Sequence, residues 1–152
     1  MSKQDEASLI LKLYELRREP LMRQARDWYF RDFNPQSIDD FNATMFGEHS
    51  AYLRMVGGYW EMAAALVSTG AISVEMFTET NQEYIGVFSK FEPLLGEIRG
   101  AYGAGFAKNL EKLIDATPDG RQRVKDIRER MSQMRARSMA KNSQPETAGV
   151  RE

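Results

Sequence analysis

The residues of this chain that could carry chemistry are few, and the first is Glu61, an acid set between Trp60 and Met62 in a long apolar segment. A carboxylate there could be a general base, a metal ligand or one half of a buried ion pair. Arg99, beside Ile98 in another core segment, is the partner that favours the third reading, a Glu61–Arg99 pair that registers two helices. A di-iron bundle needs Glu-x-x-His on two helices, whereas the single histidine, His49, follows Glu48 in Gly47-Glu48-His49 and reads as a solvated or capping side chain. The chain has no cysteine, which removes disulfides, thiolate nucleophiles and Cys-ligated zinc or iron–sulfur sites. The expectation is no metal, no cofactor and no catalytic residue that spacing can name.

Two further groups invite a ligand. Arg99 to Phe106, RGAYGAGF, has the glycine content of a phosphate loop, but it lacks the preceding strand and the Gly-Lys-Ser/Thr ending that such a loop needs. Gly96, Gly100 and Gly103 instead share a helical face with Ala104 and Ala107, and Gly57, Gly58 and Ala65 form a similar face earlier in the chain. Small residues let two helix backbones approach closely, so these two faces are expected to meet. The aromatic groups Trp28, Tyr29, Phe30, Phe33 and Tyr59, Trp60 resemble a stacking platform, yet their helical spacing assigns them to the core first, with Phe30 left over.

Charge is the remaining signal. The net charge of -1 hides an uneven distribution, since residues 1–120 hold 12 Lys and Arg against 18 Asp and Glu, and residues 121–141 hold 8 against 2. The eight are Arg121, Arg123, Lys125, Arg128, Arg130, Arg135, Arg137 and Lys141, and they flank an apolar line of Val124, Ile127, Met131 and Met134 spaced three, four, three. That is a short heptad seam with basic flanks. It could pack on the body or on its twin in a dimer, or its cations could neutralise phosphates.

The elements that position these residues read as helical almost throughout. Leu9, Ile10, Leu13 and Leu16 start a helical pattern that Pro20 must bend or end, and Leu21 to Phe33 carry it on to the turn at Asn34-Pro35. Ser37 caps a short helix to about Gly47, a long helix follows to Thr69, Gly70 stops it and Ser73 caps the next. Tyr84, Phe88, Phe91, Leu95, Ile98 and Tyr102 form a helix interrupted at Pro93 that continues through Phe106 to Ile114. Thr117-Pro118 opens a last helix to about Asn142. The architecture expected is an all-α helical bundle with kinked long helices over 1–116, a basic amphipathic C-terminal helix of the same domain over 117–141, and a disordered tail over 142–152. The N-terminus lacks the marks of a secretory signal and the longest apolar run, Met62 to Val67, is far too short to span a bilayer, so a cytoplasmic setting is expected.

The stretch from Met22 to Tyr102 carries Asp27-Trp28-Tyr29, Phe33, Tyr59-Trp60-Glu61-Met62-Ala63, Gly70-Ala71-Ile72-Ser73 and Arg99. In these residues it resembles bacterial helical proteins grouped as domains of unknown function. The resemblance implies an all-helical fold and no assigned activity. A non-enzymatic protein-interaction or regulatory module therefore ranks first, its partner being a second copy or another helical protein. Nucleic-acid binding through the basic helix ranks second, and an enzyme of unrecognised type, its site assembled from distant residues, third.

Overall fold

Local capping signals set most of the helix boundaries in the computed structural model, which describes residues 2–143. Ser2 and Asp5 cap each other at the start of α1 (Lys3–Arg17), the Ser2 hydroxyl accepting from the Asp5 amide at 3.1 Å and the Asp5 carboxylate from the Ser2 amide at 3.2 Å. Pro20 does not bend this helix. It opens a new one, α2 (Pro20–Arg31), whose N-cap carboxylate, Glu19, accepts from the Met22 amide. Ser37 caps α3 (Ile38–Met45) through the Asp40 amide, and α4 (Ser50–Ser68) ends before Gly70, whose φ of 88° stops it. Ser73 then caps α5 (Val74–Thr80).

The expected helix from Tyr84 to Ile114 is instead several pieces. α6 (Glu83–Ser89) gives way to a 3-10 turn at Glu92–Leu94, then α7 (Leu95–Tyr102), then a loop, then α8 (Lys108–Ala116). Pro93 has no amide to continue the ladder, Gly103 leaves it at a φ of 113°, and Ala107 sits in the left-handed region at 54°. The start of the last helix is also displaced from the Thr117-Pro118 signal. Thr117 is the C-cap of α8, its buried hydroxyl donating to the Leu113 carbonyl and sharing a hydrogen bond with the Tyr84 hydroxyl at 2.8 Å. The last helix, α9 (Gly120–Asn142), begins after a left-handed Asp119 and reaches the predicted end. The tail expected to be disordered lies, from residue 144 on, outside the described residues.

The elements assemble into an all-α bundle with no strand among the described residues. α4 lies between α2 and α8 and buries Leu53, Val56, Trp60, Ala63, Ala64 and Val67. Its neighbouring line, Met55, Tyr59, Met62 and Leu66, stays half-buried or exposed. The most enclosed element is α6, buried from Tyr84 to Ser89 on every side, as a helix apolar all round must be. α9 covers it on one side. No helix among the described residues is long and apolar enough to cross a membrane.

Candidate functional site

Glu61 and Arg99 do not pair with each other. The Glu61 carboxylate reaches from α4 to the start of α8, where it accepts from the Asn109 amide at 2.7 Å and the Leu110 amide at 2.8 Å. Arg99 donates to the Phe106 carbonyl at 3.0 Å and to Glu111 at 2.9 Å. The break at Gly103–Ala107 explains the difference, because it exposes backbone donors and acceptors that a continuous helix would have satisfied internally. Ala107, at the N-cap of α8, brings no side-chain cap of its own. Glu61 supplies that cap from another helix, with the favourable sign for a helix N-terminus. Glu61→Ala is expected to cost about 1–2 kcal/mol, read by urea unfolding. An unchanged midpoint would show that the cap contributes nothing.

The glycine faces do not meet either. A Cβ built on Gly57, Gly58, Gly96 or Gly100 would have no atom within 4 Å outside its own surroundings, and Gly103 serves to end α7. The missing side chains of Gly57 and Gly58 leave a space. Together with Phe41, Met45, Phe91 and Leu110 they line an apolar cleft of about 290 Å³, bordered by Arg54 and by the loop that Arg99 and Glu61 hold. Both Glu61 oxygens are bonded to amides, so the acid on the wall of this cleft is committed to structure. Directly beyond Met45 stands Phe46, 85% exposed.

α9 sorts its cations into two rows. Arg121, Arg128 and Arg135, seven residues apart, share the body-facing side. Arg121 binds Asp115 at 2.7 Å, Glu111 at 2.9 Å and Glu92 at 3.1 Å. These bonds hold the guanidinium pKa up, Asp115 contributing most, and Arg121 in turn holds the Glu111 carboxyl below the usual carboxylate range, with Arg99 assisting. Arg128 donates to the Ser89 carbonyl and to Glu92, and Arg135 to Asn34. Arg123 donates to Gln82. Lys125, Arg130, Arg137 and Lys141 are exposed and make no ion pair among the described residues. The apolar seam turns inward at its start, where Val124 is fully buried and Ile127 and Met131 half-buried, while Met134 is 60% exposed.

Sequence reasoning missed Lys90. It lies in a wholly buried stretch, 7% exposed, and its ammonium donates to the Phe30 carbonyl at 3.1 Å, the Phe33 carbonyl at 2.9 Å and Asn34 Oδ1 at 2.8 Å. The one signal was a lone charge in Tyr84-Ile85-Gly86-Val87-Phe88-Ser89-Lys90-Phe91. Tyr29, Phe33 and Trp60 are core, as their spacing predicts, whereas Trp28 and Tyr59 are only half-buried, like Phe30, which lies beneath Lys90; His49 stacks on Trp28 at 5.1 Å.

Comparison with known proteins places these features in a family without adding an activity. No curated protein and no solved structure matches the chain. One family model does, over residues 5–117, from the first turn of α1 to the C-cap of α8, and it includes the whole stretch whose resemblance was read from the sequence. The chain belongs to the family described as a domain of unknown function, DUF4760.

Proposed function

We propose that this protein is a non-enzymatic interaction module that binds through the apolar cleft beside Gly57 and Gly58, and that the partner is a second copy of the chain. The observation that carries this reading is the juxtaposition of Met45, which lines the cleft, with Phe46, which is 85% exposed. A protruding aromatic next to a hollow of aromatic size allows a two-fold exchange, each copy seating its Phe46 in the cleft of the other. The committed oxygens of Glu61 support binding rather than acid–base chemistry. In this reading residues 1–116 form the bundle, 117–141 dock on it as part of the same domain, and the setting is cytoplasmic.

Two seated phenylalanines bury about 300–500 Å² of side chain, well below the roughly 1,200 Å² of a stable interface, so the association is weak and concentration-dependent. Sedimentation velocity tests it. The mean mass is expected to rise with concentration in the native chain and to stay monomeric in Phe46→Ser and in Gly57→Leu, which fills the cleft. A mass that does not rise for the native chain, or that rises equally in both variants, would refute the proposal. Nucleic-acid binding along α9 stands second because Arg121 is held by three carboxylates of the body and Arg128 by one, which lowers the positive field the helix presents.

A further inference from the structure

At the junction of the α2–α3 connection, the end of α6 and the middle of α9 is a second pocket, of about 190 Å³, with a different character from the cleft. Three cations line it: Lys90, Arg128 and Arg135. Among the described residues no carboxylate lines it. Glu92 engages Arg128 from outside the pocket, sharing itself with Arg121, and Asp32 acts on Lys90 only at a distance. Lys90 and Arg135 converge on one neutral acceptor, donating to the same Asn34 Oδ1 at 2.8 Å and 2.7 Å.

Two like charges on one amide oxygen, one of them on a buried side chain, repel each other in a medium that screens poorly. A bound anion would offset that repulsion. Arg135 spends one guanidinium nitrogen on Asn34 and has further N–H groups to offer, in the planar arrangement that suits phosphate. Ser132, which shares a helical face of α9 with Arg128 and Arg135, also lines the pocket and brings a hydroxyl. The volume admits a tetrahedral oxyanion with a short substituent and little more.

We propose that this pocket is an anion site for a phosphate group, free or carried on a small ester. Because its cations come from α6 and α9 and its rim from the α2–α3 connection, the bound anion fastens α9 to the body. The site shares no residue with the apolar cleft, so it stands or falls independently of self-association.

Isothermal titration of the full chain with inorganic phosphate, and separately with glycerol phosphate, at matched ionic strength in chloride, is the direct test. Saturable one-to-one binding of either is expected, and tighter binding of the ester would identify the carried form. Affinity should fall about tenfold or more in Arg135→Gln, which removes a charge-assisted contact. It should be retained in Arg137→Gln, on the outer row. Ser132→Leu, which obstructs the pocket while leaving every cation in place, should abolish binding. Heat no different from a chloride control, equal loss in Arg137→Gln, or undiminished binding in Ser132→Leu would overturn the assignment.

Discussion

Gly120→Ala is expected to lower the unfolding free energy by about 3 kcal/mol or more, a loss of the size that overpacking reaches when nothing can yield. Gly120 is the buried first residue of α9, and a Cβ there would collide with the carbonyl oxygen of Ile114 in the last turn of α8. The obstacle is backbone, which cannot rotate aside as a side chain would. The Thr117 Cβ closes a second direction at 3.2 Å. Relief requires the α8–α9 turn to open, which withdraws Val124 from the core and disturbs the Thr117–Tyr84 hydrogen bond. Gly70→Ala is the comparison, since its backbone has the positive φ that Gly120 lacks while the space around it is open. It is expected to cost only about 1 kcal/mol of backbone strain. Urea unfolding compares the two, and a loss at Gly120 no larger than at Gly70 would show that the turn gives way.

The second large effect belongs to Lys90 and is a dependence on pH. Burial pushes its pKa from 10.5 down to about 8, with the Arg135 charge acting the same way and Asp32 opposing. The folded protein therefore releases this proton at a pH where the unfolded chain still holds it. Stability contributed by this group is lowest below about pH 8 and rises toward pH 10.5, by at most about 1.4 kcal/mol per pH unit. Tyr29, Tyr59 and Tyr84 work in the opposite sense. Burial raises their pKa values above the ordinary 10.0, so the stability they contribute is complete below that pH and is lost above it, which closes the window near pH 10. Denaturation midpoints are thus expected to climb between about pH 8 and 10 and then turn. Lys90→Met should flatten the climb, and at pH 7 it should cost about 2–3 kcal/mol by leaving the Phe30 and Phe33 carbonyls without their donor. The same climb in the variant would mean that another group is responsible.

Much of the fold was legible because capping and chain-breaking act over a few residues. Ser37, Ser73, Gly70 and Pro20 announce their boundaries in the sequence, and the structure places them there. Thr117-Pro118 misled for a reason of the opposite kind, since the threonine hydroxyl was claimed by Tyr84, 33 positions away. Pairing across the chain is where sequence reasoning fails. The sequence pairs Glu61 with Arg99, whereas Glu61 caps α8 through two amides and Arg99 binds the Phe106 carbonyl and the Glu111 carboxylate, groups brought within reach by the break at Gly103. Gly57 and Gly58 were noticed as an unusual face, and the physical error was to fill the face with a helix that is not continuous. Lys90 shows only as a lone charge in an apolar run, because two of its three acceptors are backbone carbonyls, which every residue has.

The way α9 is held has a thermal consequence. Beyond Ile127 its attachment passes from apolar contact to guanidinium groups, with Met134 and Met139 left 60% and 72% exposed. Lifting the outer half of the helix would wet little new hydrocarbon, so the heat capacity would change only slightly. It would instead exchange the Arg128–Glu92 ion pair for counterions, a process that ionic strength promotes. The outer half of α9 is therefore a strap fastened by charge, able to come loose with rising salt while the bundle beneath keeps its own melting behaviour.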